Sequence, residues 1–307
     1  MIKIKNKLGK TRIYSKKLKT KIVSNEKFVS KKIIINKKKS AYGGLRFKNL
    51  FKNTIKNKPL ISIIMPNFKC LGLEKAIQSV LRQNYDNLEL IVIDGNSGAN
   101  TIKILRSYDK DIDIWISEND KGIWDAWNKG FQLANGDYVG VVDSSNILYP
   151  NSIKTLVKYI NKYKKYDFIC GAVKKDNKIY AGFRPQDIKR QFNIIPSSIV
   201  GFFIKLESLK KVGLLNITYK YSSDYDLLYR IIIKNKMKGI ATKGNEIFGN
   251  LGDSGFSANH NFLLKLINEI RIRFNNGQSL FNLIYIIIGR FIMKASRIIS
   301  IKKNSQK

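Results

Sequence analysis

Between residues 59 and 142 the chain repeats one pattern three times and then begins it once more: a short apolar, β-branched run, a polar loop, and then apolar residues at helical spacing. Leu60 to Met65 is the first run, ended by Pro66, and it has the composition of a strand buried on both faces. Leu73, Ala76, Ile77, Val80 and Leu81 follow at spacings of three and four, which predicts an amphipathic helix closing before Asn84. Leu88 to Ile93 stops at Asp94-Gly95, and a helix is expected through Ile102, Ile104, Leu105 and Tyr108. Ile112 to Ile116 is the third strand. Ile123, Trp127, Gly130 and Ala134 lie on one face of a third helix, for which Asn135-Gly136 suggests a left-handed stop, and Tyr138 to Val142 is the fourth strand. Such alternation predicts an α/β fold with a mainly parallel sheet and right-handed crossovers. Ligands of open α/β sheets bind outside the carboxyl ends of the strands, so the polar loops there become the candidate site.

With 307 residues, 44% of them apolar, the chain can bury a substantial core. Its formal charge of +35 calls for an anionic partner: nucleic acid, anionic lipid or a phosphorylated substrate. The first 58 residues hold twenty Lys or Arg against one acid, Glu26, so more than half of the excess lies in one short arm. A composition rich in Lys, Asn and Ile is an equally good account of the charge. Cys70 and Cys170 form no metal-binding or redox spacing, which argues against a disulfide framework or structural zinc and for a reducing cytoplasm. Met1 to Lys10 runs into more lysine where a signal peptide needs an apolar stretch.

These features divide the chain into a basic arm and linker (1–58), a folded α/β domain (59–260) and amphipathic C-terminal helices (261–307). Tyr42, Gly43, Gly44 and the Asn/Lys-rich stretch up to Pro59 read as linker. Beyond Pro150 a helix is expected over Ile153 to Tyr163, strands near Phe168 to Val173 and Ser198 to Ile204, and a helix around Ser223 to Lys234. Phe262 to Phe274 and Ser279 to Ile301 read as cation-studded helices, too interrupted to span a bilayer. Two readings stand side by side for them: interfacial helices on anionic lipid, or helices packed on their own domain with a solvated charged face.

Four polar clusters fall at the predicted strand ends: Pro66, Asn67 and Phe68; Asp94 to Gly98; Ser117 to Gly122 with Asp125, Asn128 and Lys129; and Asp143 to Asn146. A carboxylate beside glycines lets the chain pass close to a ligand while the acid takes a base N–H or ribose hydroxyl, although Asp-Gly is also an ordinary turn. Asp120 is equally suited to capping the helix it precedes. Asp224, opening a helix after Tyr221, Ser222 and Ser223, has the chemistry of a proton acceptor or of a plain cap, and Asp226 projects to another face. Trp115, Trp124 and Trp127 suit core packing more than sugar stacking, with Trp124 the one to watch. His260, the only histidine, reads as a packing or surface residue.

The blocks PLISIIMPNF, IQSVLRQNYDNLELIVIDGNSG, WISENDKGIWDAWNKG, ANGDYVGVVD and YKYSSDYDLLYR resemble, in order and spacing, the family 2 glycosyltransferases of the GT-A superfamily, especially bacterial enzymes of surface-polysaccharide assembly. The resemblance runs over about residues 42 to 257 and implies a GT-A (Rossmann-like) sheet flanked by helices. It also implies inverting transfer of a sugar, hexosyl in type, from a UDP- or GDP-linked donor to a hydroxyl of a glycan or lipid-diphosphate-linked acceptor. Carried over by position, Pro66 and Phe68 border the base, Asp94 binds base or ribose, and Asp120 and Lys121 line the donor pocket. Asp143 then opens the metal and diphosphate motif, and Asp224 is the general base. The expected setting is cytoplasmic, peripheral at an anionic inner leaflet.

One departure stands out. The family has adjacent acids where this chain has Ser145 and Asn146, leaving Asp143 as the sole carboxylate for Mn2+ or Mg2+. A weakened metal site, lysines in place of the metal, and a non-catalytic nucleotide-sugar binder are the three outcomes this permits. A nucleic-acid-binding protein is a further alternative on charge alone, but no helix-turn-helix, RRM or zinc pattern accompanies the lysines, so neither DNA nor RNA is the expected partner.

Overall fold

A computed structural model describes residues 2–16, 40–189, 200–252 and 261–304, the last helix by its backbone alone beyond residue 296. Two strands, β1 (Ile2–Lys5) and β2 (Thr11–Tyr14), form a hairpin, and β3 (Ala41–Gly43) follows. The alternating section gives β4 (Ile61–Asn67), α1 (Leu73–Leu81), β5 (Leu88–Asp94), α2 (Ala99–Ser107), β6 (Ile114–Ser117), α3 (Ile123–Leu133) and β7 (Tyr138–Val141). Then come β8 (Ile147–Leu148), α4 (Ser152–Lys162), β9 (Phe168–Cys170), β10 (Ala172–Lys175) and β11 (Lys178–Tyr180). The remainder holds β12 (Phe202–Lys205), α5 (Leu206–Val212), α6 (Ser223–Tyr229), β13 (Gly239–Ala241), β14 (Ile247–Asn250), α7 (Phe262–Asn275) and α8 (Leu280–Asn304).

The main sheet has the order β13-β9-β12-β7-β4-β5-β6-β3. Its centre, β7-β4-β5-β6, is parallel, while β12 and β3 run antiparallel to their neighbours. A smaller sheet, β11-β10-β14-β8, lies beside it. Because strand side chains alternate, Ile61, Ile63 and Met65 join α1 in one core layer while Ile64 joins Ala126, Trp127 and Phe131 of α3 in the other. Both layers bury apolar surface, which is why these strands read as continuous apolar runs rather than alternating ones.

Pro66 does not end the first central strand as expected: the ladder to β5 continues through Pro66↔Ile93 and Asn67↔Asp94. Its carbonyl accepts from Ser144 N on the β7 side, so its missing N–H points the same way, where β7 has already ended and no ladder partner is needed. The stop after α3 also differs from the left-handed turn expected at Asn135-Gly136. Ala134 leaves the helix in extended conformation, φ −65°, ψ 134°. Gly136 is required for closeness instead, since a Cβ there would lie 2.5 Å from Ser62 Oγ and 2.8 Å from the Leu60 carbonyl.

The stretch from Tyr42 to Pro59, read as linker, is bound into the domain. β3 pairs with β6 in register Ala41↔Ser117 to Gly43↔Trp115. Arg46 ion-pairs with buried Glu89, and Lys52, 3% exposed, meets Asp113 at 2.8 Å under the Tyr14 ring. The hairpin docks on the end of α1, where Asn6 Nδ2 and Arg12 Nη2 both donate to the Leu81 carbonyl at 3.1 and 3.0 Å. A helix C-terminus leaves such carbonyls without intrahelical partners, which gives these polar side chains a buried role. Arg12, Arg46 and Lys52, read from the sequence as part of a basic arm and linker, are thus cross-links; residues 17–39 lie outside the described part.

At the other end, α6 continues into a wide π-type turn over residues 230 to 234, and α7 packs on α6. Asn276 donates to Asp226 at 2.7 Å, and Arg273, 0% exposed, binds Glu269 at 2.8 Å and the Lys189 carbonyl at 2.8 Å. Arg290 of α8 meets the same Glu269 at 2.9 Å. Among the described residues no helix is long and apolar enough to cross a membrane.

Candidate active site

A cavity of about 890 Å³ opens at the carboxyl ends of β4, β5 and β7, in the range of small-molecule sites. Its wall includes Pro66 to Gly72, Gly95, Asn119, Asp120, Gly122, Ile123, Asp143, Ser144, Ser145 and Gly252. Three of the four polar clusters read from sequence therefore contribute directly to one concavity, and the second contributes only Gly95.

Asp94 does not line it. The residue is 0% exposed, and both carboxylate oxygens are occupied: Oδ1 accepts from Asn67 Nδ2 at 2.6 Å and from Ser97 Oγ, Oδ2 from Ser97 N at 3.0 Å and Ser117 Oγ at 2.6 Å. Four donors saturate a carboxylate. Instead of touching base or ribose, as its position suggested, Asp94 ties the ends of β4, β5 and β6 together beneath the cavity floor. Asn67 Oδ1, buried at that floor, has no partner among the described residues.

Above it, Gly95 makes room. A Cβ at this position would lie 2.8 Å from Asp120 Oδ2 and 3.1 Å from the Phe68 ring. The ring is 64% exposed and faces the opening, as a surface for stacking a planar base requires. Asp120 Oδ1 accepts from Gly122 N at 2.9 Å, which leaves Oδ2 toward Gly95; burial pushes its carboxyl above the usual range, only partly offset by that N–H. Asp120 thus shapes the turn before α3 and lines the wall, while the cap of α3 itself is Gly122, without a side-chain cap bond. Lys121 is exposed and off the wall. The wall's cation is Lys69, which sequence reasoning passed over; it sits in left-handed conformation, φ 49°, held by a 2.7 Å bond from its N–H to Ser97 Oγ, with its amine 5.2 Å from the Phe68 ring centre. Nothing in its flanking sequence marks a left-handed lysine, so a signal was absent.

At the end of β7, Asp143 lines the cavity, and burial raises its carboxyl against the lowering effect of the Ser144 and Ser145 N–H groups. The neighbouring oxygens do not complete a metal cage. Asn146 is 3% exposed and spends its Oδ1 on Gly252 N at 2.9 Å, and among the described residues no three His, Cys, Asp or Glu side chains are grouped to hold an ion. A hard divalent cation at a diphosphate takes one or two carboxylates and fills its shell with phosphate oxygens and water, so the protein's share of such a site here is the single carboxylate of Asp143.

Asp224 stands in the first turn of α6, half-buried, with its carboxyl pushed up by burial. It is not on the wall of the cavity itself. The loop before it is tied to the start of α3 by Trp124 Nε1 donating to the Lys220 carbonyl at 3.3 Å, next to wall residue Ile123. Asp226 is structural, accepting from Arg230 Nε at 2.9 Å and from Asn276. Trp115 and Trp127 are core residues. His260 lies outside the described residues.

A parallel centre, antiparallel flanks and a rim cavity define a nucleotide-type α/β fold. The family described as Glycosyl transferase family 2 matches residues 62–221, just over half of the sequence. The chain belongs to that family. An uncharacterized glycosyltransferase of Rickettsia typhi is 31% identical over 188 residues, covering 57% of this chain and 59% of the relative. Glycosyltransferase GlyG of Streptococcus pneumoniae is 31% identical over 116 residues, 36% of this chain and 38% of its own. The chain thus spans less than two thirds of the curated relatives it matches. Among solved structures, S. aureus TarS 1-349 in complex with UDP-GlcNAc superposes with TM-score 0.56 at 14% identity, covering 74% of this chain and 71% of that one. The Pyrobaculum calidifontis mannosyltransferase PcManGT, in complex with GDP-Man and Mn2+, gives 0.53 at 16% identity over 77% and 70%. These likenesses show the GT-A fold.

Proposed function

We propose that the chain is an inverting glycosyltransferase that moves a hexose from a UDP- or GDP-linked donor to a hydroxyl of a glycan or lipid-diphosphate-linked acceptor in cell-surface polysaccharide synthesis. The observation that carries this is the rim cavity, where an exposed aromatic ring, a glycine backed by a carboxylate, and a lysine converge. Phe68 and Pro66 border the base, with Gly95 and Asp120 as the wall behind it. Lys69 supplies positive charge near the leaving diphosphate, where charge builds as the anomeric bond breaks. Asp143 faces the same space, and its raised carboxyl suits a hydrogen bond to a sugar or ribose hydroxyl. Asp224 takes the acceptor proton: burial raises its proton affinity, which is what a general base needs. No step is assigned to a metal ion, because Ser145 and Asn146 do not provide its donors. The chain works in the cytoplasm at the inner leaflet.

Thermal shift with UDP-, GDP- and other nucleotide sugars, with EDTA or manganese, tests the binding half. Stabilisation by one nucleotide class in EDTA is expected, and a comparison with manganese shows how much the single Asp143 carboxylate contributes through a metal. Incubation with labelled donor and membrane extract tests transfer: Asp224→Asn abolishes it while leaving nucleotide binding intact. Binding without transfer by the parent chain, across all donors, would instead identify a non-catalytic nucleotide-sugar binder.

A further inference from the structure

The α7–α8 pair presents an apolar surface that its own domain leaves uncovered. On α8 the inner face is packed: Leu283 and Ile286 are 4% exposed, and Arg290 reaches back to Glu269. Phe281, Ile284, Tyr285, Ile288, Phe291 and Ile292 are all exposed, Phe281 to 87%. At 100° per residue these six fall within an arc of about 120° directly opposite the packed side. On α7 the exposed face carries Leu263, Ile267 and Phe274, together with Arg271. Contiguous apolar surface of this kind on a water-soluble chain marks an interaction site.

Charge identifies the occupant. Residues 261–307 contain nine Lys or Arg and one acid, Glu269. That acid is 4% exposed and consumed by Arg273 and Arg290, so among the described residues the helix pair leaves Arg271 and Lys294 exposed, Lys265 half-buried, and no exposed carboxylate. A second copy of a chain with net charge +35 would bring like charges together. An anionic bilayer surface satisfies both features at once, with acyl chains for the rings and branched side chains and head groups for the lysines and arginines.

We infer that α7 and α8 form an interfacial helix pair that docks the chain on anionic lipid, with the outward stripe of α8 inserted at the head-group boundary. The docking is coupled to the site: Asn276 at the end of α7 binds Asp226, and Arg273 lies 5.0 Å from the ring centre of Tyr225, so the pair is fastened to α6, the helix that opens with Asp224. The surface sets the orientation of α6 toward the membrane, which rests on the transferase reading only in that α6 serves the acceptor.

The test uses the full chain with vesicles of phosphatidylcholine, with and without phosphatidylglycerol, followed by flotation. Binding to the anionic vesicles alone, weakened by salt, is expected. A variant combining Phe281→Ser, Ile284→Ser, Ile288→Ser and Ile292→Ser should lose at least about tenfold in partitioning, with nucleotide-induced thermal stabilisation unchanged. A chain carrying only Phe281→Trp gives a readout independent of that variant's folding, because its fluorescence shifts to the blue on anionic vesicles. Absence of that shift, equal binding to neutral vesicles, or undiminished flotation of the serine variant overturns the inference. So does a parent dimer that the serine variant dissociates, which would make a second copy the occupant. Loss of nucleotide binding with flotation intact would strike the transferase reading alone.

Discussion

At Gly95 one methyl group separates an open nucleobase wall from a blocked one. Alanine there would place its Cβ 2.8 Å from Asp120 Oδ2 and 3.1 Å from Phe68, and neither neighbour can move without leaving the position proposed for it. Gly95→Ala should weaken nucleotide binding by tenfold or more, about 1.4 kcal/mol, with little change in the melting temperature of the free chain; calorimetric titration with UDP and GDP checks it. Asp224 makes the second residue-scale prediction. Burial raises its carboxyl, so the ionised base is present above that raised value and lost as pH falls through it. The acid limb of kcat/KM should then lie above the usual carboxylate range. The same shift means the folded state holds the proton more tightly than the unfolded one, so the ionised form costs stability at neutral pH. Asp224→Asn should melt no lower than the parent at pH 7, and the difference should shrink toward acid pH. The sequence marked both positions as special, but it could not say that the acid beside Gly95 would be Asp120, twenty-five positions on, because that meeting is made by the tertiary approach of two loops.

At the scale of elements, the rim is held by Asp94 joining β4, β5 and β6. A nucleotide ligand and a structural tie predict different behaviour for this acid. Asp94→Ala strands the donors of Asn67, Ser97 and Ser117 in a buried place, a loss of about 2–4 kcal/mol. Denaturant unfolding of the free chain should show that loss before any nucleotide is added, whereas a pure ligand contact would leave the free chain unchanged. The central strands and the helices between them were legible because apolar periodicity is local. Strand ends were less so: Pro66 continues its ladder because β7 stops first, and Gly136 serves a close contact with Ser62 and Leu60 rather than a left-handed turn. Both depend on a neighbouring element that no window of sequence contains. Of the smaller sheet only the start of β10 fell within an expected strand; β8, β11 and β14 were not read from the sequence.

At the scale of the whole molecule, residues 2–16 and 40–58 are part of the folded unit, although the sequence read them as basic arm and linker. A charge count cannot distinguish a lysine in water from one such as Lys52, whose aliphatic stem is enclosed and whose amine meets a buried aspartate. Burial opposes both charges, lowering the lysine and raising Asp113, and their mutual attraction offsets part of that cost. Removing one partner leaves the other charge buried and uncompensated, so Lys52→Ala should destabilise the chain by about 3–5 kcal/mol. Replacing both partners together, as Lys52→Met with Asp113→Asn, should cost clearly less than the sum of the single changes, and a double-mutant cycle by urea unfolding measures the difference. Deleting residues 1–55 removes β3 and Lys52 together and uncovers the β6 edge, so it should lower stability and promote aggregation. That outcome separates the two ends of the chain. Loss of vesicle binding after N-terminal truncation would reflect a broken fold, whereas serine substitutions at exposed positions on the outward face of α8 test the proposed lipid contact.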